Sequence, residues 1–185
     1  MNMNKKAQSI ELLCLFYVII ELVMNIDVIC VGKLKEKYWT DAVAEYSKRL
    51  GRFCKLTITE LAEVKLPDNA GPSEEAAVIK AESENIMKKL DGRGSGSYVV
   101  ALDVLGKQKT SEELAGFISD LALDGKSTIY FIIGGSLGLS QELLGKVDHR
   151  LSFSKMTFPH QLMRVILLEQ IYRAFKINNH EKYHK

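Results

Sequence analysis

"TIYFIIGGSLGLS", residues 128–140, is the stretch on which the fold turns. Its first six residues are apolar or β-prone without polar alternation, the pattern of a strand covered on both faces. Gly134, Gly135 and Gly138 follow at once. Glycines at a strand end let the chain turn sharply and let main chain approach another group closely. The dinucleotide fingerprint needs Gly-x-Gly-x-x-Gly opening a helix, and a phosphate loop needs Gly-Lys-Ser/Thr; neither is present. Taken alone, the loop reads either as a plain tight turn or as one wall of a ligand pocket. Ser140 then offers an N-cap for a short helix predicted through Val147.

The same grammar extends in both directions. "NIDVICVG" (25–32) and "YVVALDV" (98–104) are buried-strand runs, "KLTITEL" (55–61) alternates with period two, and "RLSFS" (150–154) is a last short strand. Helical spacing fills the gaps: residues 36–51 (Tyr38, Ala42, Tyr46, Leu50), 74–90, and 111 to about 123. The last of these has a capping box, Thr110 with Glu113, and Gly125 to stop it. "PDNAGPS" and "GRGSGS" punctuate as loops, and a closing helix starts after Pro159. Strands separated by helices predict an α/β fold: a mainly parallel sheet with helices on both faces. Ligands in such sheets sit beyond the carboxyl ends of the strands. Three segments lie there: "ALDVLGK", "IIGGSLGLS" and "FSKMTFPHQ". Together they can form an apolar slot rimmed by main-chain donors and acceptors, suited to an adenine ring and a thioether or sulfonium. Ordinary loop packing is the alternative.

The totals set bounds. The 185 residues, 46% hydrophobic and 26% charged, suit one globular domain with an extra segment. A net charge of +2 permits a nucleic-acid partner without requiring one. Cys14, Cys30 and Cys54 form no metal or redox motif and read as reduced thiols of a cytoplasmic protein. His149, His160, His180 and His184 lack metal-ligand spacing, so no metal is expected. Residues 1–23 carry Lys5 and Lys6 before the apolar run Leu12–Ile20. That run is about half of the roughly 20 residues a membrane span needs. The preferred reading is an extension outside the fold, with the domain starting at Met24; a membrane anchor or an extra packed helix are the alternatives.

"KMTFPHQLMRVILLEQIYRAFKI" (155–177) is apolar round most of its helical circumference. Such a helix must be covered on more than one side, and a second subunit is the expected cover. Arg164 falls inside the apolar arc. It is either a cation paired at an interface or one held for an anionic substrate. Arg173 is placed for an i,i+4 pair with Glu169.

"FIIGGSLGLS", "LSFSKMTFPHQLMRVILLEQIYRAFKI" and the terminal "YHK" closely resemble the RlmH family, SPOUT-class methyltransferases of large-subunit ribosomal RNA. The resemblance runs from about Met24 to Lys185. It implies a single domain with a deep C-terminal trefoil knot, a homodimer packed through the knot, and active sites near the partner subunit. It implies S-adenosyl-L-methionine held by Leu102, Gly134 and the run Phe153, Ser154, Lys155, Met156, Thr157, Phe158. The implied reaction is methylation at N3 of a pseudouridine in 23S rRNA on the assembled ribosome. That imide nitrogen is a weak acid, so a cation to stabilise its anion and a base to take its proton are wanted. Arg164, Arg173, His184 and Lys185 are the candidates, with Tyr183 to stack on a base turned out of its loop. Lys33, Lys35 and Lys37 offer phosphate contacts, or merely a solvated face. A different RNA substrate, or a non-catalytic ribosome-binding role, remains the competing expectation.

Overall fold

The computed structural model describes residues 24–183. The expectations for residues 1–23, His184 and Lys185 lie outside that range. Along the described chain run β1 (Asn25–Val31), α1 (Lys37–Leu50), β2 (Lys55–Leu61), α2 (Pro72–Leu90), β3 (Ser97–Gln108), α3 (Ser111–Leu123), β4 (Thr128–Ile133), α4 (Gln141–Leu144), β5 (His149–Ser152) and α5 (His160–Asn178). The five strands form one sheet in the order β2-β1-β4-β3-β5, and every neighbouring pair is parallel.

The sheet is covered on both faces, which is why its strands read as continuous apolar runs. Ile26, Val28 and Cys30 of β1 and Ile129, Phe131 and Ile133 of β4 point into one core, closed by Leu50 of α1, Ile118 of α3 and Leu167, Ile171 and Phe175 of α5. Their sequence neighbours Ile29, Val31 and Ile132 point the other way, against Ile86 and Leu90 of α2 and Leu143 and Leu144 of α4. Burial pushes the thiols of Cys30 and Cys54 up to about 11 and about 12, and both are unpaired and reduced. No described helix is long and apolar enough to cross a membrane.

Local chemistry sets the helix ends. Glu113 N–H donates to Thr110 Oγ1 at 3.1 Å and Thr110 N–H to Glu113 Oε2 at 2.8 Å, the capping box the sequence predicts. Ser140 caps α4 by accepting from Leu143 N–H at 3.2 Å, but the helix stops at Leu144, short of Val147. Gly145 follows as its cap.

Two features depart from the sequence reading. The third strand does not end in "ALDV". After Leu102 it loops out, then resumes with Lys107 opposite Leu151 and Gln108 opposite Ser152. Gly106 permits this return, since a Cβ there would lie 2.7 Å from the backbone carbon and oxygen of Arg150. The second concerns α5, one flank of which the sequence assigns to a partner subunit: α1 and α3 of the same chain lie along it, while Leu162, Met163, Val165 and Ile166 stay only partly buried.

Candidate active site

In the sheet order the topology switches between β1 and β4, since β1 leads to β2 on one side while β3 and β5 lie on the other. At the carboxyl ends of β4, β3 and β5 opens a cavity of about 660 Å³. The looped-out residues Leu102 to Leu105 make one wall, Gly134 to Leu139 a second, and the chain from Phe153 into the first turn of α5 a third. Of the candidate cofactor residues, Leu102, Gly134, Phe153, Ser154, Met156, Thr157 and Phe158 all line it. Lys155 is exposed and is absent from the lining.

Each wall has a physical reason to stand where it does. Gly138 takes φ +86° and its N–H donates to the Gly135 carbonyl at 3.1 Å, closing the turn. That folds the chain back so tightly that a Cβ on Gly134 would lie 2.9 Å from the Gly138 oxygen. From outside, α2 pins the loop. Ser140 N–H donates to Ser83 Oγ at 2.9 Å, and Glu82, 5% exposed, packs against Gly135. The β3 wall is held by Asp103, whose carboxylate accepts from Leu105 N–H at 3.2 Å and from Arg150 Nε at 2.7 Å. Ser154 closes the third wall, its Oγ accepting from Met156 N–H at 2.9 Å. Asp103, Arg150 and Gly106 were not singled out by sequence. The signal for them was a polar residue and a glycine inside an otherwise apolar run.

The two candidate catalytic residues among the described ones, Arg164 and Arg173, lie outside the cavity lining. Arg164 is 1% exposed. Its guanidinium donates to Glu60 Oε1 at 2.6 Å and to the Val31 and Gly32 carbonyls at 3.0 and 2.7 Å, so it ties α5 to the ends of β1 and β2. Of the two sequence readings, the paired cation is the one the geometry matches, with the pair lying inside the protomer. Arg173 Nε donates to Glu169 at 3.1 Å, the expected i,i+4 pair, and its guanidinium lies 4.8 Å from the Tyr183 ring centre. Tyr183 O–H donates to Glu169 Oε1 at 3.2 Å and its ring meets the Tyr172 ring edge-on at 4.9 Å. Burial, then a bond with Tyr46, pushes its hydroxyl up to about 12, so it stays protonated.

His160 lines the cavity, and its Nε2 is buried without a hydrogen-bond partner. Burial pushes it below the ordinary histidine value; Arg164 and Lys35 act in the same direction and Glu63 against them. His149 is lowered too, by burial and then by Lys109 and Lys107. Both imidazoles are therefore neutral groups of the fold. The unfolded chain takes up protons near pH ~6.5 while the folded chain does not, so this stability is complete above that value and is lost as pH falls toward the folded values. Urea midpoints are expected to drop on acidification from pH 7.5 to pH 5.5, and the double variant H149Q/H160Q to flatten that slope.

A parallel α/β sheet with a largely apolar pocket at its carboxyl edge, walled by a glycine turn and a strand bulge, defines a binder of a small organic cofactor. Comparison with known proteins narrows the class. The family model described as "Predicted SPOUT methyltransferase" matches residues 24–184. A ribosomal RNA large subunit methyltransferase H of Clostridium novyi is 59% identical over 162 residues, 88% of this chain and all of that one. The protein of the same description in Bifidobacterium adolescentis is 58% identical over the same coverage. A solved structure from Bordetella pertussis, described as a probable methyltransferase, superposes with TM-score 0.51 at 15% identity over 82% of this chain and 96% of its own, a likeness of fold. The chain belongs to the SPOUT methyltransferases, in the ribosomal RNA large subunit methyltransferase H family. Its cofactor is S-adenosyl-L-methionine.

Proposed function

We propose that this chain methylates N3 of a pseudouridine in 23S rRNA on the assembled ribosome, working in the cytoplasm as a homodimer. The observation that carries the reading is the cavity itself. At about 660 Å³ it falls in the range of organic-ligand sites, and its lining is largely apolar. Gly134 keeps the wall's turn tight, since a Cβ there would meet the Gly138 carbonyl. An adenosyl group and a sulfonium need such surfaces and no phosphate loop. When bound, the donor supplies an activated methyl group. The chain's part is to position it and to handle one proton.

In this reading residues 24–185 form one domain with a C-terminal trefoil knot, and residues 1–23 lie outside it. Two observations favour a site shared between subunits. Val104, Leu105 and Met156 stand exposed on the cavity rim, Leu105 at 82% and Met156 at 70%, an apolar edge suited to a protein cover. Tyr183 rests on Tyr172, which stands nine residues, ~13 Å of helical rise, along α5 from the cavity-lining Met163. Arg173, Tyr183, His184 and Lys185 would thus serve the neighbouring subunit's cavity. There Arg173 or Lys185 would stabilise the imide anion, Tyr183 would stack on the base, and His184 would accept the proton. His160 is a second proton acceptor, already inside the cavity.

The test is methylation of ribosomes from a strain lacking this protein, read by mass spectrometry of digested 23S rRNA. One methyl on a pseudouridine at N3 is the expected product; a methyl on another nucleotide, or none, overturns the reading. H184A and H160A then separate the proton acceptors. The variant that removes the base is expected to lose ~10²–10⁴-fold in kcat and the rising limb of the pH profile.

A further inference from the structure

The carboxyl edge of the sheet holds a second cavity, of about 460 Å³, which the cofactor reading does not use. It lies over the ends of β2, β1 and β4, lined by Gly32, Lys33 and Lys35 after β1, by Glu63 and Lys65 after β2, and by Glu82 of α2. Ser136 and Leu137 line both cavities, so the glycine loop after β4 is the partition between them. A second point of contact is His160, lining the first cavity, whose Nε2 is 3.5 Å from Glu63 in the second. The two openings are therefore neighbours across a thin wall.

Resting on the RNA-methylating reading above, we propose that this second cavity holds a backbone phosphate of the substrate RNA strand, next to the nucleotide whose base enters the first. Lys33, Lys35 and Lys65 are its cations. Lys35 is partly engaged, 3.7 Å from Glu63, and its backbone N–H donates to Gln161 at 3.0 Å. Lys33 and Lys65 are exposed, and among the described residues neither has a carboxylate within ion-pair distance. The acidic groups present are restrained. Glu63 is shared with Lys35, and Glu82 is spent on Val64 N–H at 3.0 Å. Burial moves the Glu82 carboxyl up, toward its uncharged form, which lessens repulsion of an anion. The opening lies over the switch between β1 and β4, where doubly wound sheets commonly receive ligands.

The experiment compares wild type, K33A/K65A, the charge-keeping K33R/K65R, and K37A. Lys37, grouped by sequence with Lys33 and Lys35 as a phosphate contact, is the contrast because the structure sets it outside the cavity, exposed and paired with Asp41 at 2.6 Å. S-adenosyl-L-methionine binding is followed by calorimetry, and KM and kcat are measured on ribosomes over a salt series. K33A/K65A is expected to raise KM about tenfold or more with kcat and cofactor affinity near wild type. Its log K against log salt should be less steep by about 0.7, the value for one phosphate left unneutralised on a single strand. K33R/K65R and K37A should behave as wild type. A salt slope and KM unchanged in K33A/K65A, or changed equally by K37A, would overturn the proposal. Failure of wild type to methylate RNA at all sinks instead the reading on which it rests.

Discussion

Arg164→Ala is expected to lower unfolding free energy by about 3–5 kcal/mol, the usual cost of breaking a buried ion pair from one side. For a domain of this size that is a fall in Tm of roughly 10 °C. Three acceptors lose a donor at once: the carbonyls of Val31 and Gly32, and Glu60 Oε1, which keeps only the Leu34 N–H at 3.2 Å. The two carbonyls lie where β1 ends. Glu60→Gln should cost less, about 1–2 kcal/mol, since it keeps the acceptor oxygen and Glu60 is partly exposed. The expectation divides two roles for the arginine. As a tie between α5 and the sheet, its loss removes activity in proportion to the folded fraction lost, and activity returns on cooling. As a cation for substrate, its loss would leave Tm unchanged and depress kcat. Thermal unfolding and single-turnover rates on the same R164A sample decide, and an unchanged Tm would end the structural assignment.

The partner of Arg164 shows where sequence reading ran out. A cation inside an apolar arc is visible from helical spacing alone; that its carboxylate is Glu60, 104 positions away, depends on strand order. Strand order was not legible either. The apolar runs say that strands are buried on both faces and hence parallel, but each would satisfy that demand equally beside any other. What was legible was local. The Thr110–Glu113 capping box, the strand "TIYFII" and the turn at Gly134–Gly138 each depend on residues within a few positions. The cavity walls were legible for the same reason, being three strand ends in a fold that puts its ligands there. The β3 bulge was not, because "ALDVLGK" fits an uninterrupted strand as well as one that loops out and returns. Only the closeness of Gly106 to the β5 backbone distinguishes the two.

That closeness yields the second large effect. Gly106→Ala places a methyl 2.7 Å from the backbone carbon and oxygen of Arg150 and 2.9 Å from the carbon of Leu151. All three are main-chain atoms, so no rotamer change relieves the clash. Either β5 moves off β3 or the bulge is rebuilt. Overpacking of this kind costs about 1–3 kcal/mol, and displacing a cavity wall by about an ångström can cost 10²-fold in function. The wall in question runs from Leu102 to Leu105, with Asp103 held by Arg150 itself, so both ends of that ion pair shift together. S-adenosyl-L-methionine affinity is expected to fall by about 10²-fold at temperatures where the variant is still folded. Gly116→Ala is the matched contrast. Gly116 lies inside α3 with nothing within 4 Å of a Cβ, so the same methyl should stabilise by about 0.5–1 kcal/mol and leave affinity alone. Calorimetry with the cofactor and urea unfolding of the two variants check both signs. Wild-type affinity in a folded Gly106→Ala protein would show that the bulge does not set the cavity, and that β3 tolerates the regular pairing its sequence suggests.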